Sequence, residues 1–252
     1  MGALHEGHLD LIRRAKAETS AVVCSIFVNP LQVNNPEDLA RYPRQMEQDS
    51  ALLREAGCDT LFVPEKETIF AGHQALHYDL GELDAYWEGP SRPGHFQGVV
   101  NVVERLFFYT RPDRAYFGEK DRQQLAIIQH VVENLLWPVQ IVPCTTTRDR
   151  SGLALSSRNQ RLSDAQRKEA TTLYRALQLA SEGAFRKDIP SIHIAVEALL
   201  KDHPSIELDH FGIANSKTLK PLHEWGDLQE AVAIIAAQVG PVRLIDNITL
   251  RR

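Results

Sequence analysis

Through the first 145 residues, short apolar runs that read as extended chain alternate with stretches of helical hydrophobic period. That alternation restricts this part of the chain to βαβ units around a parallel sheet. His8 to Thr19 places Leu9, Ile12 and Ala15 on one helical stripe, and Ala21 to Val28 is an apolar run suited to a strand buried on both faces. Asp38 to Ala56 reads as helix interrupted at Pro43, with Gly57 as its stop signal before a strand at Thr60 to Val63. After an irregular segment come a helix at His95 to Tyr109, a strand end at Ala115 to Gly118, a helix at Arg122 to Leu136 and a strand at Val139 to Val142. Beyond about residue 147 the pattern changes. A Ser-rich loop leads to a long helix opened by the capping-box pair Ser163 and Gln166. A helix at Ile192 to Asp202 and three β-like runs follow, at Ile206 to Ile213, Ala231 to Ala236 and Val242 to Leu250. The expectation is an α/β fold: a Rossmann-like doubly wound parallel sheet over residues 1–146 and a smaller α+β domain over 147–252.

Composition narrows the function classes. In 252 residues, 28 Lys and Arg face 33 Asp and Glu, a net charge of -5, so attraction to nucleic acid or to an anionic membrane is not the default. No stretch approaches the roughly 20 apolar residues of a membrane span, and the N-terminus lacks the pattern of a signal peptide. Cys24, Cys58 and Cys144 lie far apart without C-x-x-C spacing, which reads as buried free thiols in a reducing cytoplasm.

Four segments can carry chemistry. In Met1-Gly2-Ala3-Leu4-His5-Glu6-Gly7-His8, two histidines three residues apart stand at a helix start, where unpaired N–H groups favour a phosphate; two surface histidines in a loop are the alternative, and a metal site lacks a third ligand by spacing. In Tyr116-Phe117-Gly118-Glu119-Lys120-Asp121-Arg122-Gln123-Gln124, a strand end turns into a helix where an open parallel sheet has its ligand crevice; a solvated turn capped by Asp121 fits equally well. In Gly152-Leu153-Ala154-Leu155-Ser156-Ser157-Arg158-Asn159, two hydroxyls and a guanidinium suit the phosphates of a nucleotide, against a plain Ser-Ser turn. In Phe27-Val28-Asn29-Pro30-Leu31-Gln32, Asn29 and Gln32 can hydrogen-bond a polar substrate, against a strand-terminal Asn-Pro turn.

Taken together and in this order, with PSRPGHFQGV at Pro90 to Val99, RPDRAYFGEKD at Arg111 to Asp121 and VRLIDNI at Val242 to Ile248, these segments resemble the pantoate–β-alanine ligases, a family of the HxGH nucleotidylyltransferase superfamily. The resemblance covers essentially the whole chain. It implies ATP-dependent condensation of pantoate with β-alanine through a pantoyl adenylate, with Mg²⁺, in a homodimer; the composition itself points to a cytoplasmic protein with no nucleic acid or membrane as partner. It implies an ATP site built from Met1, Gly2, Ala3, Leu4, His5, Glu6, Gly7 and His8, from Gly118, Glu119, Lys120 and Asp121, from Thr147, and from Leu155, Ser156, Ser157 and Arg158. His5, His8, Lys120 and Arg158 are the expected catalytic residues, with His8 at the position treated as proton donor. Gln32 and Gln124 fall on pantoate positions, Gln32 also near β-alanine, and Asp49 on an Mg²⁺ contact.

Some positions depart from the family pattern. Leu155 stands where Met is common, Val33-Asn34 where Phe-Gly often follows the glutamine, and Thr147 where Val is usual. The family pattern also has one strand and one helix ahead of the residue matched by Met1. Without that strand, the expectation is a fragment or a late-assigned start, unstable and inactive. Another HxGH nucleotidylyltransferase and an inactive binding remnant are the competing readings.

Overall fold

The computed structural model describes residues 2–27, 29 and 45–252. They fall into two compact units, Met1–Glu119 with Gln123–Thr145, and Lys120–Arg122 with Thr146–Arg252. The second unit thus claims three residues of the FGEKD segment and its continuation that the periodicity alone would leave in the first.

In the first unit, helix α1 (Glu6–Glu18) buries Leu9, Ile12 and Ala15, the stripe legible in the sequence. It begins two residues before the expected His8. His5 is the N-cap in extended conformation, and its carbonyl accepts from His8 N at 2.8 Å and Leu9 N at 3.2 Å. Strand β1 (Val23–Ser25) pairs in parallel with β2 (Thr60–Phe62), Cys24 opposite Leu61. Helix α2 (Met46–Glu55) lies between them in sequence and ends where Gly57, at φ 87°, lets Cys58 N reach Leu53 O. The expected helix from Asp38 falls partly outside the described residues. Two short helices, α3 (Lys66–Ile69) and α4 (Glu88–Ser91), interrupt the irregular segment. The longer α5 (His95–Thr110) buries Phe96, Val99, Val100, Val102 and Val103. Strand β3 (Arg114–Gly118) pairs in parallel with β4 (Gln140–Cys144), Ala115 opposite Ile141, and α6 (Arg122–Asn134) connects them, burying Leu125, Ile127, Ile128 and Val131.

The parallel pairing is as expected. Among the described residues it consists of two parallel pairs, β1–β2 and β3–β4. Helix α1 packs on both: Leu9 and Ile12 share a core with Val22, Cys24 and Leu53, against which Tyr116 of β3 also packs. Tyr116 OH reaches Glu18 at 2.9 Å, and Arg14 donates to Pro143 O of β4 at 2.6 Å.

The second unit is α+β. Helix α7 (Asp164–Gly183) opens with the anticipated capping box, Ser163 Oγ accepting from Gln166 N and Gln166 Oε1 from Ser163 N. Helix α8 (Ile189–Lys201) starts three residues before the expected Ile192, because Asp188 caps Ser191 N at 2.7 Å and Pro190 suits the first turn. Strands β5 (Ile206–Asn215), β6 (Glu230–Val239) and β7 (Val242–Arg251) form an antiparallel sheet in that order. Ala231, Ala233 and Ala237 of the central β6 are fully buried in one core with Leu173, Leu177, Ile192 and Val196 of the two helices. Among the described residues, no helix is long and apolar enough to cross a membrane.

Candidate active site

The residues nominated from sequence divide between the units. In the first, Ala3 and Leu4 are buried while His5, Gly7 and His8 are half-buried, and the two imidazole rings stack with centroids 4.0 Å apart at an angle of 33°. Both rings therefore stand at the N-terminus of α1, where the helix dipole and the first-turn N–H groups favour an anion. Met1 and Gln32 lie outside the described residues.

Asn29 is buried, and its Nδ2 donates to Gly98 O of α5 at 3.0 Å, which ties the strand end to that helix. Gln124 sits half-buried in the first turn of α6. Its neighbour Gln123 is fully committed to structure: Nε2 donates to Leu83 O and Tyr86 O at 2.6 and 2.8 Å, and Oε1 accepts from Glu88 N at 2.9 Å. This clamp fixes the loop that leads into RPGHF. Gly89 follows immediately, and a Cβ there would lie 1.8 Å from Asp84 O, so no other residue fits. A cavity of about 480 Å³ borders this loop, lined in part by Tyr78, Asp84, Arg92 and Gln97; it brings together none of the nominated residues.

Asp49 does not fit the expected Mg²⁺ contact. It is 1% exposed, and its two carboxylate oxygens accept from Ala3 N and Leu4 N at 2.9 and 2.7 Å. Magnesium keeps several waters and needs a carboxylate facing them. Among the described residues, no group of three or more His, Cys, Asp or Glu side chains could hold a metal ion. The cysteines are free thiols; burial pushes Cys24 up to about 12 and Cys144 upward, which keeps both protonated and unreactive.

In the second unit, the phosphate-loop candidates ride on a small hairpin. Leu155 N donates to Thr147 O at 3.0 Å, and Arg148 pairs with Ala154. Ser156 Oγ then accepts from Arg158 N, opening a short 3₁₀ turn at Ser157–Arg161 that leaves Arg158 exposed, while Asn159 is buried and holds Ala154 O at 2.9 Å. Sequence reasoning missed what anchors this hairpin. Asp246 of β7, 5% exposed, takes Arg148 in a two-pronged ion pair whose second contact is 2.9 Å, and the guanidinium lies 4.0 Å over the Tyr174 ring. The next residue, Asn247, donates to Lys120 O at 2.9 Å. Thus the Asp-Asn pair of VRLIDNI pins both Lys120 and the Thr147–Arg158 hairpin. The signal was present: in strand phase with buried Val242 and Leu244, position 246 faces inward, and an inward carboxylate requires a partner. Lys120 Nζ lies 3.9 Å from Asp121 Oδ1.

Comparison with known proteins identifies the family. The family model described as pantoate-beta-alanine ligase matches residues 1–249. The chain belongs to the pantoate–β-alanine ligase family. Among relatives of this family, the pantothenate synthetase of Rubrobacter xylanophilus is 47% identical over 99% of this chain and 89% of its own length. The crystal structure of pantothenate synthetase from Thermus thermophilus superposes with a TM-score of 0.93 at 47% identity, covering 98% of this chain and 90% of that one. The pantoate-beta-alanine ligase of Francisella tularensis, solved in complex with beta-gamma ATP and beta-alanine, superposes with a TM-score of 0.79 at 34% identity, over 98% of this chain and 86% of that one.

Proposed function

We propose that this chain joins pantoate to β-alanine at the expense of ATP, forming pantothenate, AMP and pyrophosphate. In the first step a pantoate carboxylate oxygen bonds to the α-phosphorus, and the bond to the bridging oxygen of the β-phosphate breaks with its electron pair leaving on pyrophosphate. In the second, the amine of β-alanine bonds to the acyl carbon, the acyl–oxygen bond breaks with its electron pair on AMP, and the nitrogen loses a proton to the medium. Neither step needs a covalent bond to the protein, so the chain's contribution is alignment and charge stabilisation.

The observation that carries this reading is the stacked His5–His8 pair at the N-terminus of α1. Two imidazoles beside the first-turn N–H groups of a helix are suited to hold the α-phosphate as its charge rearranges. The family resemblance assigns Lys120, Ser156, Ser157 and Arg158 to the remaining phosphates, and Gln32 and Gln124 to pantoate. Mg²⁺ arrives with the nucleotide. The working form is a homodimer, as the family resemblance implies, and its free cysteines suit a reducing cytoplasm.

Exchange of labelled pyrophosphate into ATP tests the reading because it isolates the first step. Exchange should require pantoate and proceed without β-alanine. Exchange that runs equally well without pantoate, or with nicotinate mononucleotide in its place, would favour another nucleotidylyltransferase.

A further inference from the structure

We propose that Asp49 is the positioning residue of the His5–His8 loop, acting on the backbone of Ala3 and Leu4 and not on a metal ion. Its carboxylate bridges 45 and 46 residues of sequence to two consecutive amides, one oxygen on each. Ala3 is 0% and Leu4 5% exposed, so water has no access to replace these bonds. Ala3 also adopts φ 49°, a left-handed conformation that an L-residue enters only when its surroundings hold it there. Consecutive N–H groups brought onto one acceptor make an anion-binding concavity, and here a side chain of the protein fills it.

The carboxylate itself is well anchored. It stands on α2, whose Leu53 shares a core with Leu4, Leu9 and Ile12, so helix, loop and α1 form one packed body. His5 follows Leu4 directly, and its carbonyl receives the first hydrogen bonds of α1. The placement of both imidazoles therefore descends from the Asp49 contacts. The choice of Asp over Asn has a reason too. Asn offers one acceptor oxygen and turns an NH₂ donor onto the second N–H, whereas the carboxylate accepts twice. This inference rests on the assignment of His5 and His8 to the nucleotide phosphates.

The test compares the parent with Asp49→Asn and Asp49→Ala by amide-proton NMR and by pantoate-dependent pyrophosphate exchange over a range of Mg²⁺ concentrations. In the parent, the Ala3 and Leu4 amides should be deshielded and slow to exchange with solvent. Both variants should lose those signatures, and their maximal exchange rate should fall by roughly 10-fold or more, the scale expected when reacting groups are displaced by a fraction of an ångström to an ångström. The Mg²⁺ concentration giving half the maximal rate should not move. A rise in that concentration, with the rate restored by excess Mg²⁺, would make Asp49 a metal ligand and overturn the proposal, as would a full exchange rate in Asp49→Asn. If the variants do not fold, the parent alone decides: unshifted, rapidly exchanging Ala3 and Leu4 amides refute the contact, and deshielded, protected ones support it. A parent without exchange activity would instead refute the catalytic reading, while its amide signals still judge the contact.

Discussion

Lys120 and Asp49 show how much a single side chain's identity leaves open. In the sequence, Lys120 is either a phosphate cation or part of a solvated Glu-Lys-Asp turn. Its backbone carbonyl is held by Asn247, its side chain is only 18% exposed, and its ion pair with Asp121 is loose at 3.9 Å. A pair of that geometry with an exposed partner adds little to stability. Lys120→Ala should therefore leave the melting temperature nearly unchanged while slowing single-turnover adenylation by roughly 10²-fold, the scale of one preorganised charge-stabilising group. Rapid-quench measurement at saturating ATP and pantoate checks this, and an unchanged rate would restore the solvated turn. Asp49 went the other way. The resemblance drew it toward magnesium, but which way a helical carboxylate faces depends on a contact 45 residues distant, and no local pattern carries that.

At the scale of elements, the local signals were readable wherever physics made them local. The capping box at Ser163, the glycine stop at residue 57 and the α1 stripe stand where the sequence places them. What stayed hidden was the link between the Thr147–Arg158 hairpin and β7, because Arg148 and Asp246 are 98 residues apart. Their pair is mostly buried, with side chains 17% and 5% exposed, so removing one partner leaves a charge stranded away from water. Asp246→Ala should cost about 3 kcal/mol in urea-monitored unfolding. It should also raise the KM for ATP, because Ser156, Ser157 and Arg158 lose the support of their hairpin. Asp246→Asn, which keeps an acceptor for one guanidinium nitrogen, should lose less on both counts. Equal stability of Asp246→Ala and the parent would mean that the Tyr174 ring and the Gly152 and Asn247 carbonyls alone hold Arg148.

Over the whole molecule, the division into a parallel α/β part and a smaller antiparallel part was legible, since each depends on periodicity within a segment. Strand adjacency was not, because pairing joins residues far apart and periodicity reports only which faces are buried. The consequence is unequal protection within the fold. All ten residues of β6 have a neighbour in β7, and nearly all have one in β5. Among the described residues, by contrast, β1 pairs only with β2 and β3 only with β4, so each keeps one edge without a strand partner. Edge amides open at low local cost, whereas those of a doubly paired, largely buried strand exchange only when the surrounding unit unfolds. Hydrogen exchange followed peptide by peptide should therefore find β6 slowest, with Val23–Ser25 and Arg114–Gly118 exchanging orders of magnitude faster despite the burial of Cys24. Protection of β1 and β3 as long-lived as that of β6 would contradict this. It would mean that in solution those edges are paired, by a further segment of chain or by a second copy, and repeating the measurement across a range of protein concentrations would separate the two.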